Sequence, residues 1–292
     1  MKIKDILADG RPSVSFEIFP PKKDAPFEPV KEAVVRLAKL SPSFISVTYG
    51  ASGNAQANTA EIAGFVQACG TPALAHLTCL TSTRDRISEE IMALSAQGIE
   101  NILCLRGDYP AVPFPPMLSD YPVPSFPHAV DLVRALRNAG FCLGGACYPE
   151  CHPECSHIES DIVHLKAKVD AGLDFLTSQM FFDNNIFFRY LARLRSAGIT
   201  VPVLAGIMPV INGRQIDRIC KLSGTVLPQR FRAIVDRFGD DPVAMMDAGV
   251  AYATEQIVDL FANGVTAVHV YTMNKPEVAE RIMGNLSGIV AR

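Results

Sequence analysis

Eight runs of strand length, rich in β-branched or other apolar residues, recur along the chain at near-even spacing: Ser13 to Ile18, Phe44 to Thr48, Ala73 to Thr78, Asn101 to Leu105, Cys142 to Cys147, Phe175 to Gln179, Val201 to Gly206 and Ala267 to Tyr271. Between them the apolar residues fall at helical spacing, as at Val30, Val34 and Leu37, at Phe126, Val130, Val133 and Leu136, and over the longest segment at Met246, Val250, Ala253, Ile257 and Leu260. Strands that alternate with helices pair in parallel, because each helical crossover returns the chain to the same end of the sheet. Five helix-to-strand joints carry a glycine (Gly98, Gly140, Gly172, Gly198 and Gly264), suited to a left-handed helix cap. Eight such units in 292 residues, with no break in composition, predict an α/β fold: a single (β/α)8 TIM-type barrel, residues 1–292 as one domain. A doubly wound parallel sheet is the weaker option.

Two stretches depart from short connections. Asp108 to Ser125 holds six prolines between the fourth strand and its helix, and long loops on that face of a barrel carry function. Ser223 to Pro228 precedes an extra helix, about Gln229 to Phe238.

Composition excludes several classes. Twenty-seven basic against 30 acidic residues give a net charge of −3 without a Lys/Arg-rich run, so no nucleic-acid partner is expected. No stretch approaches the ~20 apolar residues of a membrane helix and no export leader opens the chain, which predicts a cytoplasmic protein that does not engage a membrane. Eight cysteines (69, 79, 104, 142, 147, 151, 155 and 220) in such a chain read as reduced thiols. Cys147, Cys151 and Cys155 lie four apart beside His152, but a strand and a proline-broken loop do not give them helical geometry, so no metal is expected. No dinucleotide glycine fingerprint, P-loop, zincin or calcium-loop pattern occurs.

Barrel active sites lie at the C-terminal strand ends. There the first strand offers Glu17 among Phe16, Ile18, Phe19, Pro20 and Pro21; turned inward, it would have a raised pKa and suit a general acid. The next strands end in Thr48-Tyr49-Gly50-Ala51, His76-Leu77-Thr78, Arg106-Gly107-Asp108, Tyr148-Pro149-Glu150 and Ser178-Gln179. His128, His157 and His269 read as structural histidines, and the Phe181-Phe182 and Phe187-Phe188 pairs as helix-to-barrel packing.

The segments Ser15-Phe16-Glu17-Ile18-Phe19-Pro20-Pro21-Lys22, Ser46-Val47-Thr48-Tyr49-Gly50-Ala51, Leu105-Arg106-Gly107-Asp108, Tyr148-Pro149-Glu150-Cys151-His152-Pro153-Glu154 and Tyr271-Thr272-Met273-Asn274 occur in the order and strand positions of methylenetetrahydrofolate reductases. From Asp5 to about Leu286 the chain resembles the bacterial catalytic-barrel form of that family. The resemblance implies a single flavin-binding barrel that reduces 5,10-methylenetetrahydrofolate to 5-methyltetrahydrofolate by a ping-pong relay from NADH or NADPH through FAD. It implies that Glu17 is the general acid at the folate N10 and contacts the substrate. Asp108 would be the carboxylate beside the flavin N1 and C2 carbonyl, serving catalysis and cofactor binding.

Thr48, Tyr49, Ala51, His76, Arg106, Gly107, Ala129, Tyr148, His152, Asp161 and Lys168 fall on the family's flavin-contacting positions, with His152 and Lys168 toward the diphosphate. Gln179 and Gln215 match substrate-contacting positions. Lys275 stands where many relatives place an Arg toward the glutamate tail, and a Lys gives no bidentate fork. Ala167 replaces a basic residue near the adenylate half. Ile219 replaces an aromatic gate found in some relatives, and Asn54-Ala55-Gln56-Ala57-Asn58 lacks charges common after that turn, leaving the electron donor open. The other readings are a catalytic subunit that takes electrons from a partner protein, a homo-oligomer of the barrel, and a flavin-free barrel of another class such as a lyase or methyltransferase. No separate C-terminal regulatory domain is expected.

Overall fold

In the computed structural model, which describes residues 1–21, 25–49, 56–80, 82–108 and 125–290, the eight strands close into a barrel in chain order. They are β1 (Ser13–Ile18), β2 (Ile45–Val47), β3 (Ala73–Thr78), β4 (Asn101–Leu105), β5 (Cys142–Cys147), β6 (Phe175–Ser178), β7 (Val203–Ile207) and β8 (Ala267–Tyr271). All neighbours are parallel, and β8 returns to β1 with Ser15 opposite His269 and Glu17 opposite Tyr271. Five strands coincide end to end with the sequence runs. The ladder of β2 is shorter than its run, although Phe44 still accepts from Phe16 and Thr48 still donates to Ile18. The seventh strand begins at Val203, because Pro202 has no N–H to give a neighbour.

Closure forces every second side chain inward. On β1 the inward residues are Ser15 and Glu17, while Val14, Phe16 and Ile18 face the helices as part of the main core. The inward columns change character along the barrel axis. Toward the N-terminal ends of the strands, Phe44, Leu74, Leu103, Phe175 and Leu204 form an apolar plug with Ile3 and Leu7. Those two come from α1 (Ile3–Ala8), a helix the periodicity does not announce. Buried Asn101 ties it on: its Oδ1 accepts from Ile3 N–H (2.8 Å) and its Nδ2 donates to the Ala73 carbonyl (3.1 Å). Toward the C-terminal ends the columns turn polar, with Ser46, His76, Thr177 and His269 buried among them.

The helices that follow the first six strands are α2 (Glu28–Ala38), α3 (Gln56–Ala68), α4 (Arg84–Ala96), α5 (Ala129–Leu136), α6 (Ile158–Gly172) and α7 (Asn184–Ser196). After β7 come a short 3-10 turn (Gly213–Gln215), α8 (Ile216–Ser223), α9 (Gln229–Phe238) and the long α10 (Pro242–Ala262) before β8, and α11 (Pro276–Asn285) follows it. The expected extra helix is therefore present over the same residues. The five joint glycines all have positive φ, between 70° and 128°. Phe181 stacks on Phe187 at 4.6 Å, one ring from the end of β6 and one from α7, which is the helix-to-barrel packing expected of them. Among the described residues no helix is long and apolar enough to cross a membrane.

The plug is packed to the limit at Gly144, where an added Cβ would overlap the Phe175 ring and touch Leu103. Gly144→Ala should therefore destabilise the barrel by about 1–3 kcal/mol, the usual cost of overpacking a core. Thermal melts by circular dichroism would show this as a lowered Tm, and an unchanged Tm would mean the layer has slack.

Candidate active site

The polar end of the barrel opens into a cavity of about 440 Å³ whose wall includes Glu17, Thr48, His76, Asp108, Tyr148 and Gln179. Six of the residues picked, one from each of the first six strand ends, are thus brought to one chamber. Alternation along the strands explains the convergence: Glu17 and His76 are the last or next-to-last inward residues of β1 and β3, and Thr48 continues the inward column of Ser46.

Glu17 is the chemically distinctive member. Burial alone pushes its pKa up to about 8, as expected of a carboxyl that exchanges water for apolar walls without gaining a cation. The same burial pushes His76 down to about 3. Near neutral pH both groups are therefore uncharged, so the 3.7 Å approach of His76 Nε2 to Glu17 Oε2 is a contact of neutral side chains rather than an ion pair. His76 Nε2 is also a buried ring nitrogen with no hydrogen-bond partner among the described residues. Such an atom costs free energy unless a ligand satisfies it.

Beneath Glu17 lies a layer that reading the histidines as structural did not resolve. His269 Nδ1 is 2.7 Å from Ser15 Oγ and its Nε2 is 3.0 Å from Ser46 Oγ, while Ser15 Oγ also lies 3.1 Å from the Val268 carbonyl. Burial, with a smaller contribution from His76, pushes His269 down to about 3, so the ring is neutral and structural, yet it also forms part of the cavity floor. The alternation of Ala267, His269 and Tyr271 was the signal that places it inward. Tyr271 donates to the Ser178 carbonyl (2.6 Å), and Thr272 donates to the Glu17 carbonyl (2.7 Å), bracing the backbone at the end of β1.

Asn274 does the same one step further. Its Oδ1 accepts from Phe19 N–H (2.7 Å), its Nδ2 donates to the Phe19 carbonyl (2.9 Å), and its backbone sits at φ 58°. The side chain thus imitates a further rung of the β1–β8 ladder. Asn is among the non-glycine residues that best tolerate such a backbone.

The rim is built from β4, the loop after β5, and α6. Arg106 forks onto Glu154 with two hydrogen bonds of 2.5 and 2.7 Å, and this partner holds the Glu154 carboxyl below its usual range. Gly107 has φ 87°, and a Cβ there would press on Thr78, so the backbone passes close to β3. His152 meets Tyr148 edge to face at 4.6 Å, its N–H donates to Asp161, and its Nδ1 accepts from Glu154 N–H (3.1 Å). Lys168 donates to the Ala146 carbonyl (2.9 Å), and burial lowers its pKa.

Other expected contact positions lie elsewhere. The Tyr49 hydroxyl donates to Glu90 on α4 (2.7 Å), which leaves only its backbone and ring for the mouth. Ala129 is the first residue of α5. Gln215 and Lys275 are exposed and line an adjoining cavity of about 520 Å³ that shares Met208, Ile219 and Met273 with the first. Ile219 is therefore in the wall between the two chambers. Ala51, Lys22 and the six prolines of the long loop lie outside the described residues. Among the described residues no three His, Cys, Asp or Glu side chains are grouped to hold a metal ion.

The family model for methylenetetrahydrofolate reductase matches residues 2–287. A methylenetetrahydrofolate reductase (NADH) of Arabidopsis thaliana is 34% identical over 301 residues, which cover 98% of this chain and 50% of that protein. The chain thus spans about half the length of the plant relatives it matches. The 5,10-methylenetetrahydrofolate reductase of Escherichia coli K12 is 34% identical over 279 residues, 95% of this chain and 91% of that one. In fold, the chain is similar to a Clostridium thermocellum protein that binds two copies of 5-methyl-5,6,7,8-tetrahydrofolic acid, with a TM-score of 0.66, 13% identity and 99% of each chain covered.

Two outcomes follow from the geometry. A buried carboxyl with a raised pKa keeps its proton while the unfolded chain loses one, so its contribution to stability is lost as pH rises from about 4.5 to about 8. Melts of wild type and Glu17→Gln across that window should show wild type losing stability relative to the variant as pH rises; a constant difference would place Glu17 in water. Asn274→Ala removes both bonds to Phe19 and puts a less tolerant residue at positive φ. It should cost about 2–3 kcal/mol in urea unfolding, and a cost below 0.5 kcal/mol, within the range of an ordinary surface change, would show the rung to be idle.

Proposed function

Because this chain belongs to the methylenetetrahydrofolate reductase family, we propose that it reduces 5,10-methylenetetrahydrofolate to 5-methyltetrahydrofolate with electrons from NADH or NADPH by a ping-pong relay through FAD. The observation that carries the reading is Glu17: a carboxyl that stays protonated near neutral pH on the wall of a cavity, among the other polar strand ends.

The residues present fit a flavin. His76 offers an unsatisfied ring nitrogen, Gly107 leaves the β4 turn without a side chain, and Arg106, Lys168 and His152 supply donors toward a diphosphate. Thr48, Tyr49, Ala51, Ala129, Tyr148 and Asp161 complete the proposed cofactor contacts. A flavin bound there would supply hydride-transfer chemistry between a nicotinamide and the folate's one-carbon unit.

The chain's own residues do the rest. Glu17 holds its proton on the cavity wall and gives it to the substrate's N10, which opens the five-membered ring and leaves an electrophilic iminium at N5. A carboxyl with a pKa of about 8 is matched to donating a proton near neutral pH. Asp108, on the cavity wall, orients the pterin and places negative charge beside the reducible ring, which disfavours an anionic reduced cofactor. Gln179 is held by a contact of its own Oε1 with Met180 N–H (2.9 Å), so its amide is fixed for a ring substituent. Gln215 and Lys275 line the adjoining chamber, where the glutamate tail would lie, Lys275 as a point charge.

The test is an anaerobic visible spectrum of the protein supplied with FAD, with 5-methyltetrahydrofolate and NADH added in separate cuvettes. Bleaching by both reductants is expected. Glu17→Gln should keep flavin binding and bleaching by NADH while folate turnover drops at least about 100-fold, the usual worth of a general acid. Retained folate turnover would remove Glu17 from the role, and a protein that takes up no FAD would overturn the function.

A further inference from the structure

The loop after β5 carries two thiols that the proposed reaction does not use. Cys151 and Cys155 are both partly exposed, unlike Cys79, Cys104, Cys142 and Cys147, which are buried. Two turns fold the loop back on itself: Cys151 N–H donates to the Tyr148 carbonyl (3.1 Å) and Cys155 N–H to the His152 carbonyl (2.8 Å). The folding brings Cys151 Sγ to 3.5 Å from the Cys155 carbonyl, while the Cys155 thiol donates to the His157 carbonyl at 3.4 Å, so the first sulfur lies against the backbone that carries the second. Cys151 also holds φ at 76°, a left-handed backbone that costs an ordinary L residue free energy and persists only when its surroundings impose it.

What lies between the two sulfurs gives the pair its consequence. His152 N–H is tied to Asp161 and its ring to Tyr148 on the cavity wall, and Glu154 forks Arg106. A covalent link between residues 151 and 155 would close a ring of five residues around these contacts and fix Glu154 where it stands.

We propose that Cys151 and Cys155 are a redox-controlled pair that closes into a disulfide within the loop and clamps Arg106 onto Glu154. The oxidant is a low-molecular-weight disulfide such as oxidised glutathione. One thiolate attacks it, forming a mixed disulfide and releasing one thiol. The second thiolate then displaces the remaining half as a second thiol. The two cysteines lose two electrons and two protons, and the small disulfide is reduced to two thiols, so the exchange balances. Clamped on Glu154, the guanidinium is withheld from an anionic ligand. This effect on ligand binding rests on the proposed flavin site, whereas closure of the bridge does not.

The full-length protein would be equilibrated without flavin in glutathione buffers stepped from reducing to oxidising, alkylated and mapped by peptide mass. The expected result is loss of two hydrogens from the segment holding Cys151 and Cys155, reversed by dithiothreitol and absent in Cys155→Ser and in Cys151→Ser. A lasting glutathione adduct on either cysteine, a bridge that recruits Cys220, or unreacted thiols in the most oxidising buffer would overturn the pair. In a second arm, fluorescence titration with FAD should give a Kd several-fold higher for the oxidised than for the reduced protein, with no such difference in Cys155→Ser. Equal affinities with the bridge closed would overturn the clamp. Failure to bind FAD in either redox state would overturn the flavin reading instead, with the bridge already judged by mass.

Discussion

Pairing β8 back onto β1 is the constraint on which the site depends. A closed parallel barrel has no free edge, and its strand period of two commits half of every strand to the interior. That interior is filled in layers, with the plug of Phe44, Leu74, Phe175 and the α1 residues at one end and Ser15, Ser46 and His269 above it. Glu17 stands on that floor. Its carboxyl loses most of its water because the layers below are packed and the walls beside it are strands, and this desolvation is the cause of its raised pKa. Had the sheet stayed open, the same residue at the same strand end would have faced water on one side.

Charge is distributed in keeping with that desolvation. At the floor of the chamber Glu17, His76 and His269 are neutral near neutral pH, since burial pushes Glu17 up and the two histidines down. Full charges appear at the rim, where Arg106 and Glu154 meet with Glu154 half in water. An ion pair so exposed contributes little to stability, which makes it suited to exchange one partner for another. Lys168 is more deeply placed, and the Ala146 carbonyl partly satisfies its ammonium. The division into a neutral floor and a charged rim matches a ligand with a flat, weakly polar ring at one end and phosphates at the other.

Much of this was legible in the chain. Five strands follow their apolar runs end to end, the joint glycines take the left-handed backbone expected of them, and the inward turn of Glu17 follows from the period of two. Other features were not legible. Helix α1 is six residues long and too short for its periodicity to register, and it becomes a plug only because Asn101, far along the chain, bonds its backbone. His269 reads as an ordinary core histidine until the register sets Ser15 and Ser46 on either side of it. Asn274 and Glu154 are polar residues in loops, and their roles depend on partners at Phe19 and Arg106 that no local pattern identifies.

The sequence by itself determined the eight strands and the helices that alternate with them, the single barrel, and which strand ends carry polar groups. Those properties follow from local periodicity and from residue chemistry within a few positions of one another. Only the tertiary structure decided which of these groups share one chamber, which are neutral, and which are already occupied. Gln179 and Gln215 fall into different cavities, Tyr49 spends its hydroxyl on Glu90, and Arg106 is held by Glu154. Each outcome depends on distances between residues remote in the chain and on how much water the closed barrel leaves beside them. Neither quantity is encoded in any short stretch of sequence.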